Sequence, residues 1–241
     1  AAPRLFCVPL LADVTRPFND RCTLLFGDVL ASKHRLAEPV ADALRGMGVE
    51  GAMPPFQLVA NLPYTIATPL IVNLVIDWPT MAGAVVMVQR EMADRLDATV
   101  GTADYGPVSV IVQATCHVAR LAQVPAACFW PVPKVDSTIV QLTRREIPRT
   151  ANPTRPAAVA RHLFAQRRKQ LGSIVRRQFP GQSLPAIVDS AARPRDLTVD
   201  QVVALAKALE PPPTWPRTGR KYRNPRFVSR FRPVAALGRR H

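Results

Sequence analysis

The side chains best suited to chemistry sit in one tetrapeptide, Asn61-Leu62-Pro63-Tyr64. It follows directly on the hydrophobic run Phe56-Gln57-Leu58-Val59-Ala60. A polar amide, a stiffened turn and a flat ring therefore arrive together at the end of a strand, where open α/β sheets bind their ligands. The set suits a reaction at the exocyclic amine of a nucleobase such as adenine. That amine is a poor nucleophile because its lone pair is delocalised into the ring, and two oxygen acceptors holding its hydrogens align the lone pair on an electrophilic methyl carbon. The Asn61 side-chain oxygen and the Leu62 backbone carbonyl are the candidate acceptors, and the Tyr64 ring is the candidate stacking surface. The same four residues also fit a plain turn, with Asn61 bonding its own backbone and Pro63-Tyr64 packing as a corner.

Elements that would position this loop are legible on either side. The runs Leu5–Leu11 and Cys22–Phe26, the latter ending at Gly27-Asp28, each read as a buried strand. Leu36–Met47 has helical spacing, with Pro39 tolerable in a first turn and Gly46 and Gly48 as stops. Pro69–Ile76 suits a helix, Gly83–Gln89 a buried parallel strand and Glu91–Asp97 a helix. Such alternation implies a mostly parallel sheet covered on both faces. Val108–Ala114 and Ser137–Leu142 would add later strands, as an antiparallel edge. Near Arg149 the stretch TANPTRP reads as a linker. Beyond it, Pro156–Phe179 reads as one long helix and Val199–Leu209 as another.

Charge narrows the class of partner. The 241 residues carry 32 Lys plus Arg against 17 Asp plus Glu, a net charge of +15, which favours polyanions through phosphate contacts and counterion release. No apolar run of about 18 residues and no secretory h-region is present, so nucleic acid is a better partner than a membrane. Cys7, Cys22, Cys116 and Cys128 form no C-x-x-C pair, which removes zinc-ligand spacing and points to reduced, mostly buried thiols in a cytosol-like compartment. No metal site is expected. Basic residues cluster at Arg161, Arg167, Arg168, Lys169, Arg176 and Arg177, with no acid from Arg155 to Gln182. A charge run is often only a solvated face, but this one suits phosphate positioning. Arg90 and Lys134 lie beside the presumed site and would meet phosphates flanking a bound base.

Four blocks in order, VANLPYTIATPLIVNLV, MVQREMADRLDATVGTADYGPVSVIVQ, FWPVPKVDSTIVQL and LFAQRRKQL, resemble the bacterial-type small-subunit (16S) rRNA adenine N6,N6-dimethyltransferase family. The resemblance spans roughly Phe56–Leu209, with weaker similarity at Leu24–Leu30. It implies a Rossmann-like methyltransferase sheet followed by a small all-helical C-terminal domain. It also implies an activity: S-adenosyl-L-methionine would supply two methyl groups to each of two adjacent adenines near the 3′ end of small-subunit rRNA. By position, Asn61, Leu62, Pro63 and Tyr64 match the family's catalytic loop. Phe129, in Phe129-Trp130-Pro131-Val132-Pro133-Lys134-Val135, matches the aromatic that stacks on the target adenine from its other side. Asp28, which by spacing alone is a simple Gly-Asp turn, matches the acid that accepts from the cofactor's adenine amine. No catalytic base is implied, because the amine proton becomes acidic after transfer and leaves to water, so His34, His117 and His162 are expected to be surface or packing residues.

The family's Gly-x-Gly-x-Gly cofactor loop would fall before Ala1, so the expected sheet lacks its first strand. The acid that should end the second strand is missing from Cys7-Val8-Pro9-Leu10-Leu11, with Asp13 offset. The expected organisation is residues 1–148 as an N-terminally incomplete Rossmann-like domain, 149–209 as a helical RNA-binding domain and 210–241 as a basic Pro/Arg-rich tail. The tail interleaves Trp215, Tyr222, Phe227 and Phe231 with arginines and reads as a ribosomal-protein-like extension or a disordered terminus. Small-subunit rRNA within an immature subunit is the expected partner, and a monomer in the cytoplasm, or in an organelle matrix if eukaryotic, the expected setting. The main alternative is a catalytically inactive relative acting as a ribosomal or assembly RNA-binding protein. A methylase of large-subunit rRNA and an organellar transcription factor are further alternatives.

Overall fold

The computed structural model describes residues 13–18, 22–47 and 55–210. The expected strand Leu5–Leu11 and the tail lie outside the described residues. Elements follow in the order β1 (Leu30–Ser32), β2 (Arg35–Leu36), α1 (Glu38–Gly46), β3 (Phe56–Asn61), α2 (Tyr64–Asp77), β4 (Met81–Gln89), α3 (Arg90–Leu96), α4 (Pro107–Thr115), β5 (Cys116–Val124), β6 (Ser137–Arg144), α5 (Thr154–Phe164), α6 (Leu171–Gln178) and α7 (Val199–Ala208). The α/β class holds, but the four-stranded sheet β3-β4-β6-β5 is mixed rather than mostly parallel. β3 pairs with β4 in parallel, while β6 is antiparallel to both β4 and β5. β5 and β6 are successive strands joined by a loop that carries no crossover helix, the connection usual for an antiparallel pair. Nor is the sheet covered on both faces throughout: β4 is largely buried, whereas β3 exposes alternate residues and β5 is mostly exposed.

Four further expectations are corrected. Cys22–Phe26 forms no strand. Val108–Ala114 is helical, not a strand: it lies within α4, whose start is marked by extended Gly106 followed by Pro107. Ser137–Leu142 is a strand, but an interior one, and the antiparallel edge is β5. Pro156–Phe179 is two helices, because the first amides of α6 turn to a neighbouring segment, Leu171 N–H donating to Ala192 and Gly172 N–H to Ser190, both at 2.9 Å. A Cβ on Gly172 would lie 3.2 Å from the Ser190 Cβ, so the close approach depends on glycine.

Among the described residues, two hydrophobic clusters hold the fold. One lies between β4, β6 and helices α2 and α3, with Leu70, Leu74, Val86, Val88, Leu96 and Leu142 buried in it. The other gathers Leu163, Leu171, Ile174, Phe179, Leu197 and Leu205 from the C-terminal helices. Helix α4 belongs to both: Ile111 and Val112 enter the first, Val110 and Ala114 the second. A helix apolar around its circumference is a buried one. Ser109, fully buried, accepts from Gly106 N–H at 3.1 Å and donates to the Arg95 carbonyl at 2.6 Å, fixing where α4 starts. Tyr105 O–H donates to Leu197 across the second cluster at 2.9 Å.

Arg144, the last residue of β6, donates to the carbonyls of Val75, Trp78 and Met81 at 3.2, 2.9 and 3.1 Å. One guanidinium thus satisfies and neutralises the C-terminal end of α2.

Two stability predictions follow from this packing. A Cβ on Gly83 of β4 would lie 2.8 Å from the Leu142 carbonyl oxygen across the strand pair. Gly83→Ala is therefore expected to cost about 1–3 kcal/mol, read as a lowered urea midpoint at unchanged slope. Burial pushes the Tyr105 phenol up to about 12, opposed by Arg149 and reinforced by Asp200. The unfolded chain releases this proton first, near pH 10, so the stabilisation is complete below that pH and is lost as pH rises toward 12. Tyr105→Phe should be the less stable protein at pH 8 by about 1 kcal/mol, and the gap should narrow at pH 11. A gap independent of pH would sink this assignment.

Candidate active site

Asn61 ends β3 opposite Met87 of β4, and the Leu62 N–H donates to the Met87 carbonyl at 3.2 Å. The chain is thereby held to the sheet for one residue beyond the strand. The Leu62 side chain is buried at 5 % exposure and anchors the turn, while Asn61, Pro63 and Tyr64 remain exposed. Pro63 has φ −55° and ψ 136°, and its carbonyl accepts from Ile66 and Ala67 at 3.0 and 3.2 Å. These bonds begin α2 at Tyr64. The Leu62 carbonyl is left outside the helical ladder, and the Asn61 amide has no hydrogen-bond partner among the described residues. Two oxygens at the end of one strand are therefore unspent. The alternative in which Asn61 caps its own turn is not the geometry found.

The second wall comes from the loop between β5 and β6. Its mouth is closed by the pair Val124–Ser137. The Asp136 carboxylate accepts from Ala126 N–H at 3.0 Å, and the Asp136 carbonyl accepts from Arg90 N–H at 3.1 Å. Inside, one 3-10 turn at Ala126–Cys128 delivers Phe129, whose N–H donates to Ala126 at 3.1 Å. Asn61, Leu62, Pro63, Tyr64 and Phe129 together line a hollow of about 250 Å³. Residues distant in sequence thus meet around a space suited to a planar base, with one ring on each of two loops. Sequence reasoning assigned no role to Asp136, although it lies in the quoted PKVDS stretch; its clamp depends on pairing with Ala126, which no local pattern discloses.

Asp28 is exposed and stands just ahead of β1, apart from the residues lining the hollow. Exposed Arg90 and Lys134 flank the Phe129 loop, Arg90 through its backbone bond to Asp136. The C-terminal cations are not on one helix as expected. Arg161 lies on α5, half-buried, and burial pulls its guanidinium below the usual arginine range. Arg167, Arg168 and Lys169 are exposed in the turn between α5 and α6, with Arg167 donating to the Ala103 carbonyl at 3.2 Å. Arg176 and Arg177 are exposed in the last turn of α6.

His162 packs edge-on against Phe179 with ring centroids 6.3 Å apart, and burial pulls its pKa down. Of the described cysteines, all free, only Cys116 is buried; Cys22 is half-buried and Cys128 exposed, so the expectation of mostly buried thiols is corrected. Among the described residues no group of three or more His, Cys, Asp or Glu side chains is placed to hold a metal ion, and no helix is long and apolar enough to cross a membrane.

Comparison with known proteins supplies relatives of this chain. Ribosomal RNA small subunit methyltransferase A of Geobacillus kaustophilus is 34% identical over 218 residues, covering 85% of this chain and 71% of that protein. The protein of the same description from Lactobacillus acidophilus is 36% identical over 198 residues, covering 79% and 65%. Among solved structures, the 23S rRNA methyltransferase ErmE aligns with a TM-score of 0.56 at 22% identity, covering 86% of this chain and 79% of that one. A dimethyladenosine transferase from Plasmodium falciparum aligns at 0.54 and 24% identity, covering 70% and 76%. At those identities the two structures speak for the fold alone. Residues 41–210, which include the whole hollow but not Asp28, match the family described as ribosomal RNA adenine dimethylase, and the chain belongs to that family.

Proposed function

We propose that this chain transfers methyl groups to the N6 amines of adenines in small-subunit rRNA, two on each of two adjacent adenines near the 3′ end. The observation that carries the reading is the hollow itself. It combines two uncommitted oxygens, of Asn61 and Leu62, with two rings, of Tyr64 and Phe129, in a volume of about 250 Å³. This joint placement favours an enzyme over a non-catalytic RNA-binding relative, which would have no use for it.

S-adenosyl-L-methionine, when bound, supplies an electrophilic methyl carbon on a sulfonium. The residues present fit that chemistry at the acceptor end: Asn61 is exposed at the C-terminal edge of the sheet, with its amide free to face both cofactor and base. Asp28, exposed ahead of β1, is the proposed partner of the cofactor's adenine amine. Tyr64 and Phe129 hold the extruded adenine between them, replacing the stacking lost from the RNA. The Asn61 oxygen and the Leu62 carbonyl accept from the N6 hydrogens and turn the nitrogen lone pair toward the methyl carbon. The bound cofactor would supply the methyl carbon that N6 takes up, and the proton shed by the alkylated amine would pass to water. Arg90, Lys134, Arg161, Arg167, Arg168, Lys169, Arg176 and Arg177 supply phosphate contacts, which position the RNA without reading its sequence.

Transfer of labelled methyl groups to small subunits with unmethylated rRNA tests the proposal. Asn61→Ala should lower the transfer rate by about 100- to 1,000-fold with RNA affinity nearly unchanged. Phe129→Ala should chiefly impair placement of the base, lowering kcat/KM by roughly 10- to 100-fold. Label failing to appear at adenine N6, or appearing equally with Asn61→Ala, would refute the reading.

A further inference from the structure

Trp130 is 94% exposed, the most exposed large apolar side chain among the described residues, and it directly follows Phe129. Val132 and Val135, at 61% and 42%, continue the apolar surface of the same loop. The loop is not a loose one: Asp136 closes it to Ala126 and to Arg90, and two backbone bonds, Cys128 N–H to Pro125 at 3.0 Å and Phe129 N–H to Ala126, brace its first half. A braced loop that leaves an indole in water gives up the free energy of covering an aromatic surface of about 150–250 Å². Among the described residues nothing covers it.

The backbone at Phe129 is extended, with φ −118° and ψ 150°. Phe129 lines the hollow and Trp130 does not, so the indole does not share its base. Its surroundings are cationic: Lys134 is exposed on the same loop, Arg90 is attached to the base of the loop, and the loop's one acid, Asp136, is engaged. An exposed ring beside cations suits single-stranded nucleic acid, whose bases stack and whose phosphates pair.

We infer that Trp130 is a second stacking platform, occupied by the unpaired nucleobase next to the target adenine in the same RNA strand. The inference rests on the hollow holding that adenine. Its role is to keep the strand unstacked beside the target, so that extrusion of one base is matched by a ring for its neighbour. Because an indole stacks on any base, Trp130 adds affinity and register without adding sequence preference.

The test measures binding of the full chain to a short RNA displaying two adjacent unpaired adenines, and to the same RNA made abasic at the position on either side of the target. Trp130→Ala should weaken binding to the intact RNA by about 5- to 100-fold, and Trp130→Phe should recover most of that loss. On the RNA lacking the contacted base, the unmodified chain and Trp130→Ala should bind alike. The exposed side chain predicts unchanged melting of both variants. Equal binding of intact RNA by the unmodified chain and Trp130→Ala overturns the inference. So does an equal loss on intact and both abasic RNAs, or quenching of Trp130 by lipid vesicles but not by RNA. Asn61-dependent methylation measured in parallel separates the two failures: if it persists while Trp130 proves neutral, only this inference falls, whereas its absence removes the reading of the hollow and this inference with it.

Discussion

The burial of helix α4 on both sides is the constraint on which the rest of the molecule depends. Ile111 and Val112 press toward the sheet, Val110 and Ala114 toward the C-terminal helices, and Ser109 fixes the register of the helix by gripping Gly106 and Arg95. A helix shared between two cores leaves little freedom for one to slide over the other, since close-packed interiors transmit displacement rather than absorb it. The cationic turn Arg167–Lys169 and the hollow at the sheet edge are thereby carried on one scaffold, and Arg167 reaches back to Ala103 across the same junction.

What could be read from the sequence was what local chemistry determines. β3 and β4 are short apolar runs with clear ends, and Asn61-Leu62-Pro63-Tyr64 sits where the first of them stops. α1 and α7 carry their own starts and periodicity, whereas α2 begins at Tyr64, five residues ahead of the expected Pro69, where the Pro63 carbonyl opens it. The readings that failed were those in which distant partners decide. PVSVIVQAT is β-branched and apolar on every face, so its pattern looks like a buried strand; it is a helix because two cores meet around it. The break after Phe164 has no glycine or proline to announce it, and is made by the carbonyls of Ser190 and Ala192. β5 was passed over because an exposed edge strand such as CHVARLAQV lacks the hydrophobic signal of an interior one. In the site, Phe129 was legible through its block, while Asp136 and Trp130 were not, since a clamp and an uncovered ring are properties of the folded loop.

The grip of Arg144 on the end of α2 has a mechanical consequence. α2 runs from Tyr64 at the hollow to Asp77 about 20 Å away, and β6 runs from Ser137 beside the Phe129 loop to Arg144 over about 25 Å. The near ends of the two elements carry the Tyr64 ring and the root of the Phe129 loop, each tied to the sheet, and their far ends are joined by one guanidinium. A contact remote from the hollow therefore joins the two elements that bring its walls together. A lysine at that contact would keep the charge but could not present the same planar fork to three carbonyls, and the join between α2 and β6 would weaken with no residue of the hollow's lining altered.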